Sequence, residues 1–187
     1  MAGIDSTEVR LAPFGSVKVA PTGTPLPTNA TMATNAAFKN LGYIDEDGVS
    51  LTPGVELTDI MMWQSAVPVK TTLNTVSFEV KFNMGQVNQD TWGLYFFVTS
   101  WANNFGQAKL IVPSSPGSQE KALIIEWTDD QSDDCRLVIP TAVLADREAL
   151  QLKRDSAQLT GVTFRALDSS GTLAYVYSDD PDLVPTS

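Results

Sequence analysis

The sequence contains no histidine and only one cysteine, Cys135, among its 187 residues. Without imidazole, the Ser-His-Asp and Cys-His arrangements of nucleophilic enzymes are excluded, as are zinc sites that need histidine. A single cysteine cannot form an intramolecular disulfide, and a thiolate metal site would need ligands from elsewhere. These absences remove most familiar hydrolases and many metalloenzymes from consideration.

Basic residues are also scarce, since 12 Lys and Arg stand against 22 Asp and Glu, giving a formal net charge of −10. Such a chain repels nucleic acid unless it carries a local basic patch. The densest basic cluster, Lys153 and Arg154, is followed directly by Asp155. No apolar run reaches about 18 residues, so we expect no membrane partner. Glycine-rich phosphate loops are missing too, and we expect no cofactor.

The strongest periodic signal lies between residues 75 and 84, where apolar and polar side chains alternate. A period of two predicts a β-strand with one packed face and one polar face, and the polar face carries Glu79 and Lys81. The apolar face consists of Val76, Phe78, Val80, Phe82 and Met84. We therefore predict that Phe78, Val80 and Phe82 lie in the core.

Helical spacing of apolar residues between 87 and 98, with no proline inside, predicts one helix that packs Leu94 over this strand. We also expect a helical turn or two at 34–40 and a turn at 45–48. Residues 143–153 fit either a strand pair or a short helix. Short β segments are predicted at 108–112, 122–127, 135–139, 157–167 and 173–177. Many short strands at this spacing favour a sandwich or barrel.

Three groups of residues are weak candidates for a catalytic, metal or ligand-binding site. The carboxylate pairs at 129–130 and 133–134 sit in a polar loop, where solvated turn residues are far commoner than a catalytic pair. The acidic residues Asp45, Glu46 and Asp47 precede a glycine, but their spacing misses the calcium-loop pattern. We therefore predict no metal site. Trp92 and Trp127 are best explained by core packing, while Trp63 and Trp101 border turns and stay open as binding platforms.

Several segments together resemble the major tail tube proteins of long-tailed bacteriophages, and are most similar to those of siphoviruses that infect actinobacteria. The resemblance covers about residues 10–180. The segments that carry it are FGSVKVAP at 14–21, LGYIDEDGV at 41–49, DIMMWQ at 59–64, VTFRAL at 162–167 and YVY at 175–177. None of these segments is specific alone, but their order around a single central helix is more discriminating.

The resemblance implies a mainly β fold with one central helix, arranged as a two-sheet β-sandwich or barrel. It implies an N-terminal arm at 1–12, a tail-tube domain at 13–178 and an acidic C-terminal arm at 179–187. Hexameric rings would join their inner sheets into one barrel and stack into a tube. Double-stranded DNA would pass through it into the host without specific binding.

The same resemblance implies a virion protein that is assembled in the bacterial host cytoplasm and has the tape measure and tail terminator proteins as partners. We expect Asp45, Glu46 and Asp47, with the N-terminal arm, to contact neighbouring rings. Glu79 and Lys81 are expected to face the lumen, where an acidic lining would repel DNA phosphates. Which strand face lines the lumen, and whether the tail contracts, stay open.

Two other function classes remain at this point. A β-sandwich carbohydrate-binding module would use Trp63 or Trp101 with calcium held by the acidic turn. An enzyme would use one of the carboxylate pairs. A secretion tube of related fold is a variant of the leading interpretation. Proline-rich and acidic ends favour an assembly protein, because such arms often become ordered on contact with a neighbour.

Overall fold

The computed structural model describes residues 8–98 and 100–185, which contain ten β-strands and one α-helix. A short 3-10 helix, Pro181–Leu183, follows the last strand. The strands are β1 (Phe14–Pro21), β2 (Lys39–Asn40), β3 (Ile44–Ile60), β4 (Lys70–Met84), β5 (Ala102–Asn104), β6 (Gln107–Lys109), β7 (Glu120–Thr128), β8 (Asp134–Arg147), β9 (Thr160–Ala166) and β10 (Tyr175–Ser178), and the helix is α1 (Gln89–Tyr95).

Eight of the strands form one antiparallel sheet in the order β2-β1-β7-β8-β9-β4-β3, with β10 added beside β8. Strand β8 pairs with β7 along one edge. Its other edge pairs first with β10 and then with β9. The register shifts between Leu144 and Asp146, where a bulge allows the strand to bend. Strands β5 and β6 form a separate hairpin.

The main core lies between the two halves of this sheet. Val17 of β1 and Leu123 of β7 are fully buried in the same cluster as Phe82 of β4 and Phe164 of β9. The rings of Phe82 and Phe164 stack with centroids 6.1 Å apart. Side chains from strands on either side of β8 therefore meet face to face. The mainly β fold with one helix is confirmed, and its two layers are parts of one open sheet.

The predicted core residues lie in or against this cluster. Val80 and Phe82 are buried, and so is Leu94 of α1. Phe78 is half-buried and packs against the cluster from its edge. The burial follows the alternation in the sequence, because every second side chain of β4 points to the same face.

The helix is shorter than the predicted span of 87–98. Asn88 caps its first turn by accepting hydrogen bonds from the backbone N–H groups of Asp90 and Thr91. The helix ends at Tyr95 because Phe97 adopts φ 62°, outside the helical region. Arg147 then donates to the carbonyl oxygen of Tyr95 and lies over the Phe97 ring.

The predicted helical turn at 34–40 is wrong. The side chain of Asn35 accepts a hydrogen bond from the backbone N–H of Ala37, which favours a turn over a helix. The chain then enters β2, where Lys39 and Asn40 pair with β1. Phe38 packs in a second cluster on the outer face of the sheet, together with Ile124 and Val138.

The acidic turn predicted at 45–48 is a bulge inside β3. Ile44 pairs with Met84 and Val49 pairs with Phe82, so four residues face the single residue Asn83. Gly48 adopts φ 67°, a conformation that glycine takes without strain. Turns and bulges use the same residue types, so the local sequence does not separate them.

The ambiguous segment 143–153 continues β8 as far as Arg147 and then runs without regular secondary structure. Tyr95 anchors the irregular part, because its hydroxyl donates to the Glu148 carbonyl and accepts from the Leu150 N–H. The predicted later β segments correspond to β6, β7, β8, β9 and β10 with shifted bounds.

A charged network attaches the segment between β1 and β2 to the outer face of the sheet. Arg136 is 5% exposed and donates to Glu126 and to the Asn29 carbonyl. Lys18 also binds Glu126, at 2.6 Å. Burial raises the pKa of Glu126, but the hydrogen bonds and charges of Lys18 and Arg136 outweigh it, so the pKa is lowered overall.

Replacing Phe82 with Ala should lower the free energy of unfolding by about 3–5 kcal/mol, because it empties a fully packed site. Phe105→Ala is the matched control, since that ring is 99% exposed and its loss should change stability by only about 0.5 kcal/mol or less. Chemical denaturation measures both. Equal midpoints for the two variants would contradict this position for Phe82.

Glu126→Gln should destabilise the protein at neutral pH by about 1–3 kcal/mol, because it removes a charged partner of Arg136. A carboxylate with a lowered pKa contributes stability above its unfolded pKa and loses it as pH falls through the folded pKa. The difference from wild type should therefore shrink as pH falls below about 4. Denaturation across pH measures this, with Glu120→Gln on the exposed start of β7 as control. A difference that does not change with pH would refute the ionic explanation.

Candidate assembly surfaces

The outer part of the β3–β4 ribbon has no third strand beside it among the described residues. Strand β9 pairs with β4 only from Met84 to Glu79. Beyond that point, residues 53–78 form a two-stranded ribbon with its connecting loop, here called the free hairpin. An isolated two-stranded hairpin is at best marginally stable in water. Packing against a partner would therefore stabilise the free hairpin.

One face of the free hairpin is apolar and exposed. Val55 pairs with Val76, and Leu57 pairs with Leu73, so these four side chains share a face. Their exposed fractions lie between 52% and 63%. This apolar stripe continues the core-facing side of β4 outward from Val80. A contiguous apolar patch of this kind is typical of a protein–protein interface.

The opposite face of the same strands is polar, and Glu79 and Lys81 on it are both paired. Glu79 accepts two hydrogen bonds from Arg165 on β9, at 2.9 and 3.0 Å. Lys81 forms an ion pair with Glu148, which raises the pKa of the lysine through hydrogen bonding and charge. The predicted lumen residues thus lie side by side on one face.

Strand β3 forms one border of the main sheet, and its outer side has no strand partner within the described ranges. It is 17 residues long. A long exposed edge offers unpaired backbone N–H and C=O groups to another chain, and most proteins cover or shorten such an edge. This edge lies beside the apolar stripe, so one neighbour could cover both.

The tip of the free hairpin presents the aromatic residue with the greatest exposure. Trp63 is 100% exposed and lies inside a turn closed by the Ser65 N–H bonding to the Met62 carbonyl at 3.1 Å. Trp101, in contrast, is half-buried and donates its ring N–H to the Gln89 carbonyl. Of the two tryptophans left open by the sequence, Trp63 is the one available to a partner.

A groove of about 590 Å³ lies at the opposite end of the ribbon, between the starts of β1 and β3. Phe14 and Tyr43 line it and are 76% and 77% exposed, while Trp127 forms part of its wall. Asp45 and Glu46, predicted contact residues, also border it. Their partner Asp47 lies in the same bulge and is exposed. We call this feature the base groove.

The carboxylate pairs at 129–130 and 133–134 hold residues 10–11 close to residues 179–180. Asp129 accepts backbone hydrogen bonds from Gln131 and Asp133. Asp130 accepts from the Leu11 N–H. Arg10 inserts between these loops, with its Nε 3.4 Å from Asp129 and its Nη2 3.0 Å from Asp180.

Asp129, Asp133 and Asp180 place one carboxylate oxygen each within 4.8 Å of one another. Burial, followed by the charges of Asp129 and Asp180, raises the pKa of Asp133. Arg10 supplies the opposing positive charge, and the carboxylates accept local hydrogen bonds. This cluster fastens residues 10–11 and 179–182 to the β7–β8 turn. Residues 1–7 of the predicted arm and 186–187 of the acidic end lie outside the described residues.

A family model described as phage tail tube protein matches residues 2–186. No curated protein matches the chain. Among solved structures, the chain is similar to one in the six-fold symmetrised cryo-EM structure of the anti-feeding prophage baseplate. That similarity has 12% identity and a TM-score of 0.45 over 87% of this chain and 91% of the other. No helix in the described part of the chain is long and apolar enough to cross a membrane. The match over nearly the whole length decides the family: the chain is a member of the phage tail tube proteins.

Proposed function

We propose that the protein polymerises as stacked hexameric rings into a tail tube through which double-stranded DNA is ejected into the host. The family is structural and not enzymatic, and its members are components of the virion. The observation that carries the proposal is the free hairpin, a projecting ribbon with an apolar face and an uncovered edge. Polymerisation would cover both the apolar face and the open edge.

Lateral contacts would close the ring. Strands β3, β4, β9 and the second half of β8 form a continuous four-stranded layer with an open β3 edge. Six copies joined through that edge would make a closed barrel, which leaves no lateral edge exposed. The apolar stripe would pack against the neighbouring copy, because that burial removes about 25 cal/mol per Å² of apolar area from water.

The polar face with Glu79 and Lys81 would then line the lumen. The pairs Glu79–Arg165 and Lys81–Glu148 neutralise one another locally, so these two cations are not free to hold phosphate. The rest of the subunit is acidic, and six copies at −10 sum to about −60 by multiplication. Such a surface would let DNA pass without specific binding.

Axial contacts would involve the acidic bulge with Asp45, Glu46 and Asp47, together with the N-terminal arm. The described part of the arm is held by Arg10 at the same end of the subunit as the base groove. Other tail proteins, such as the tape measure and the tail terminator, would bind the inside and the end of the tube. Assembly would take place in the host cytoplasm, and the siphovirus type fits the sequence resemblance.

Val55→Lys combined with Leu57→Lys should abolish tubes while leaving the monomer folded. Both side chains are already exposed, so the monomer loses little burial, whereas an assembled interface would have to bury two unpaired charges. Electron microscopy measures tube formation, and circular dichroism measures whether the monomer is folded. Thr75→Lys is the matched control, because it adds charge to the polar face of the same hairpin and should permit tubes. Normal tubes from the double variant would exclude the stripe as an interface.

Replacing Asp45 and Asp47 with Asn and Glu46 with Gln should alter polymerisation and shorten the tubes. Each exposed charge contributes only about 0–1 kcal/mol, so the three changes together are needed for a measurable effect. Tube length by electron microscopy is the measurement. Tubes of unchanged length would remove the bulge from the axial contact. Calcium-dependent thermal stabilisation of the unmodified protein, lost in this variant, would indicate a metal site instead.

A further inference from the structure

We infer that the tip of the free hairpin of one subunit inserts Trp63 into the base groove of the next subunit along the tube. This inference rests on the proposed tube and specifies the two surfaces that join one ring to the next. The occupant of the groove is thus a second copy of this chain, bound head to tail.

The tip is an ordered projection with an apolar end. Its loop is closed by the Val69 N–H bonding to the Ile60 carbonyl at 2.9 Å, and the Ser65 hydroxyl donates to the Val67 carbonyl at 2.8 Å. Met61, Met62 and Trp63 are between 51% and 100% exposed. A loop that is already closed loses little backbone freedom on binding, and tryptophan is enriched among residues that dominate interface energies.

The base groove complements the apolar tip in size and in its aromatic lining. Its volume, about 590 Å³, lies within the range that encloses a ligand much larger than one indole ring. The exposed rings of Phe14 and Tyr43 offer aromatic faces for stacking on Trp63. Both rings sit on backbone that is fixed, since Phe14 pairs with Thr128 and the Tyr43 carbonyl accepts from Gly85. The groove is therefore present before the partner arrives.

Charge favours the same pairing. Lys70 is the only charged residue between Ile60 and Thr71, and it is exposed beside the tip, while the neighbouring Asp59 accepts a hydrogen bond from Thr71. Asp45 and Glu46 stand at the groove, and the acidic β7–β8 turn lies at the same end of the subunit. Glu126, which also lines the groove, is already paired with Lys18 and Arg136, so Asp45 and Glu46 are the carboxylates available to Lys70.

The positions of tip and groove fit a repeating contact. The groove lies at the start of β3 and the tip lies past its end, so residues 49–60 separate them. At about 3.3 Å per residue this distance is about 40 Å. A projection and a pocket on opposite ends of one molecule make a heterologous contact, which continues indefinitely along an axis. The axial repeat of the tube should therefore be comparable to this separation, about 40 Å.

Trp63→Ala should reduce the polymerised fraction at a fixed concentration at least about tenfold, because it removes the anchor of the axial contact. Phe105→Ala is the matched control, since Phe105 is an equally exposed ring on the β5–β6 turn and should polymerise as wild type does. Sedimentation and electron microscopy measure both. Trp63→Ala tubes of normal amount and length would overturn the inference while leaving the proposed tube intact. A wild-type protein that forms no tubes under any condition would instead count against the proposed function.

A cross-linking experiment tests the contact directly and keeps both aromatic surfaces. The variant carries Gln64→Cys beside the tip and Asp45→Cys at the groove, with Cys135→Ser to remove the native thiol. A short thiol cross-linker on assembled tubes should give a ladder of covalent multimers on a denaturing gel, because each copy links to two others.

Each single-cysteine variant should stay monomeric on the same gel. Moving the groove cysteine to Phe105→Cys should also abolish the ladder. A product limited to dimers would indicate a two-fold contact, and tubes without any cross-link would place the tip elsewhere. Either result would refute the insertion of Trp63 into the base groove.

Discussion

The pairing of β8 with strands on both of its edges is the constraint on which the architecture depends. Its first half belongs with β7 and β10, and its second half carries β9, which in turn carries β4 and β3. Because the strand bends at the bulge before Asp146, the apolar faces of the two halves meet around Phe82 and Phe164. Strand β9 stops pairing with β4 at Glu79, so within the described ranges the outer part of the β3–β4 ribbon has no third strand beside it. The core and the free hairpin therefore share one ribbon, and the end of β9 marks the boundary between them.

The subunit divides its apolar residues between two purposes. Val80, Phe82 and Met84 are buried by the chain's own fold, whereas Val55 and Leu57, on the same continuous face, are left in water. A single-chain protein gains nothing from that exposure and risks aggregation. The arrangement is reasonable for a subunit whose native state is completed by neighbours. The absence of histidine and the engagement of the acidic pairs in backbone contacts agree with a structural role.

The sequence predicted those features that depend on local alternation. The burial of Val80 and Phe82 follows from a period of two, and the helix around Leu94 follows from its cap and spacing. It did not predict the bulge at Gly48, because bulges and turns use the same residue types, nor the positive φ of Phe97 that shortens the helix. The assembly surfaces were harder to predict from the sequence. The position of Trp63 beside a turn separated it from the tryptophans expected in the core, but not from Trp101, because its full exposure depends on where β9 stops pairing with β4.

The separation of the tip and the base groove has a kinetic consequence. A filament joined by such unlike surfaces has two chemically different ends, one presenting only tips and the other only grooves. Subunits arriving at the two ends then meet different barriers, so elongation has separate rate constants in the two directions. A capping protein shaped for one end would not fit the other. The direction of growth is therefore already encoded in the monomer, through the separation of Trp63 at the tip from Phe14 and Tyr43 at the base groove.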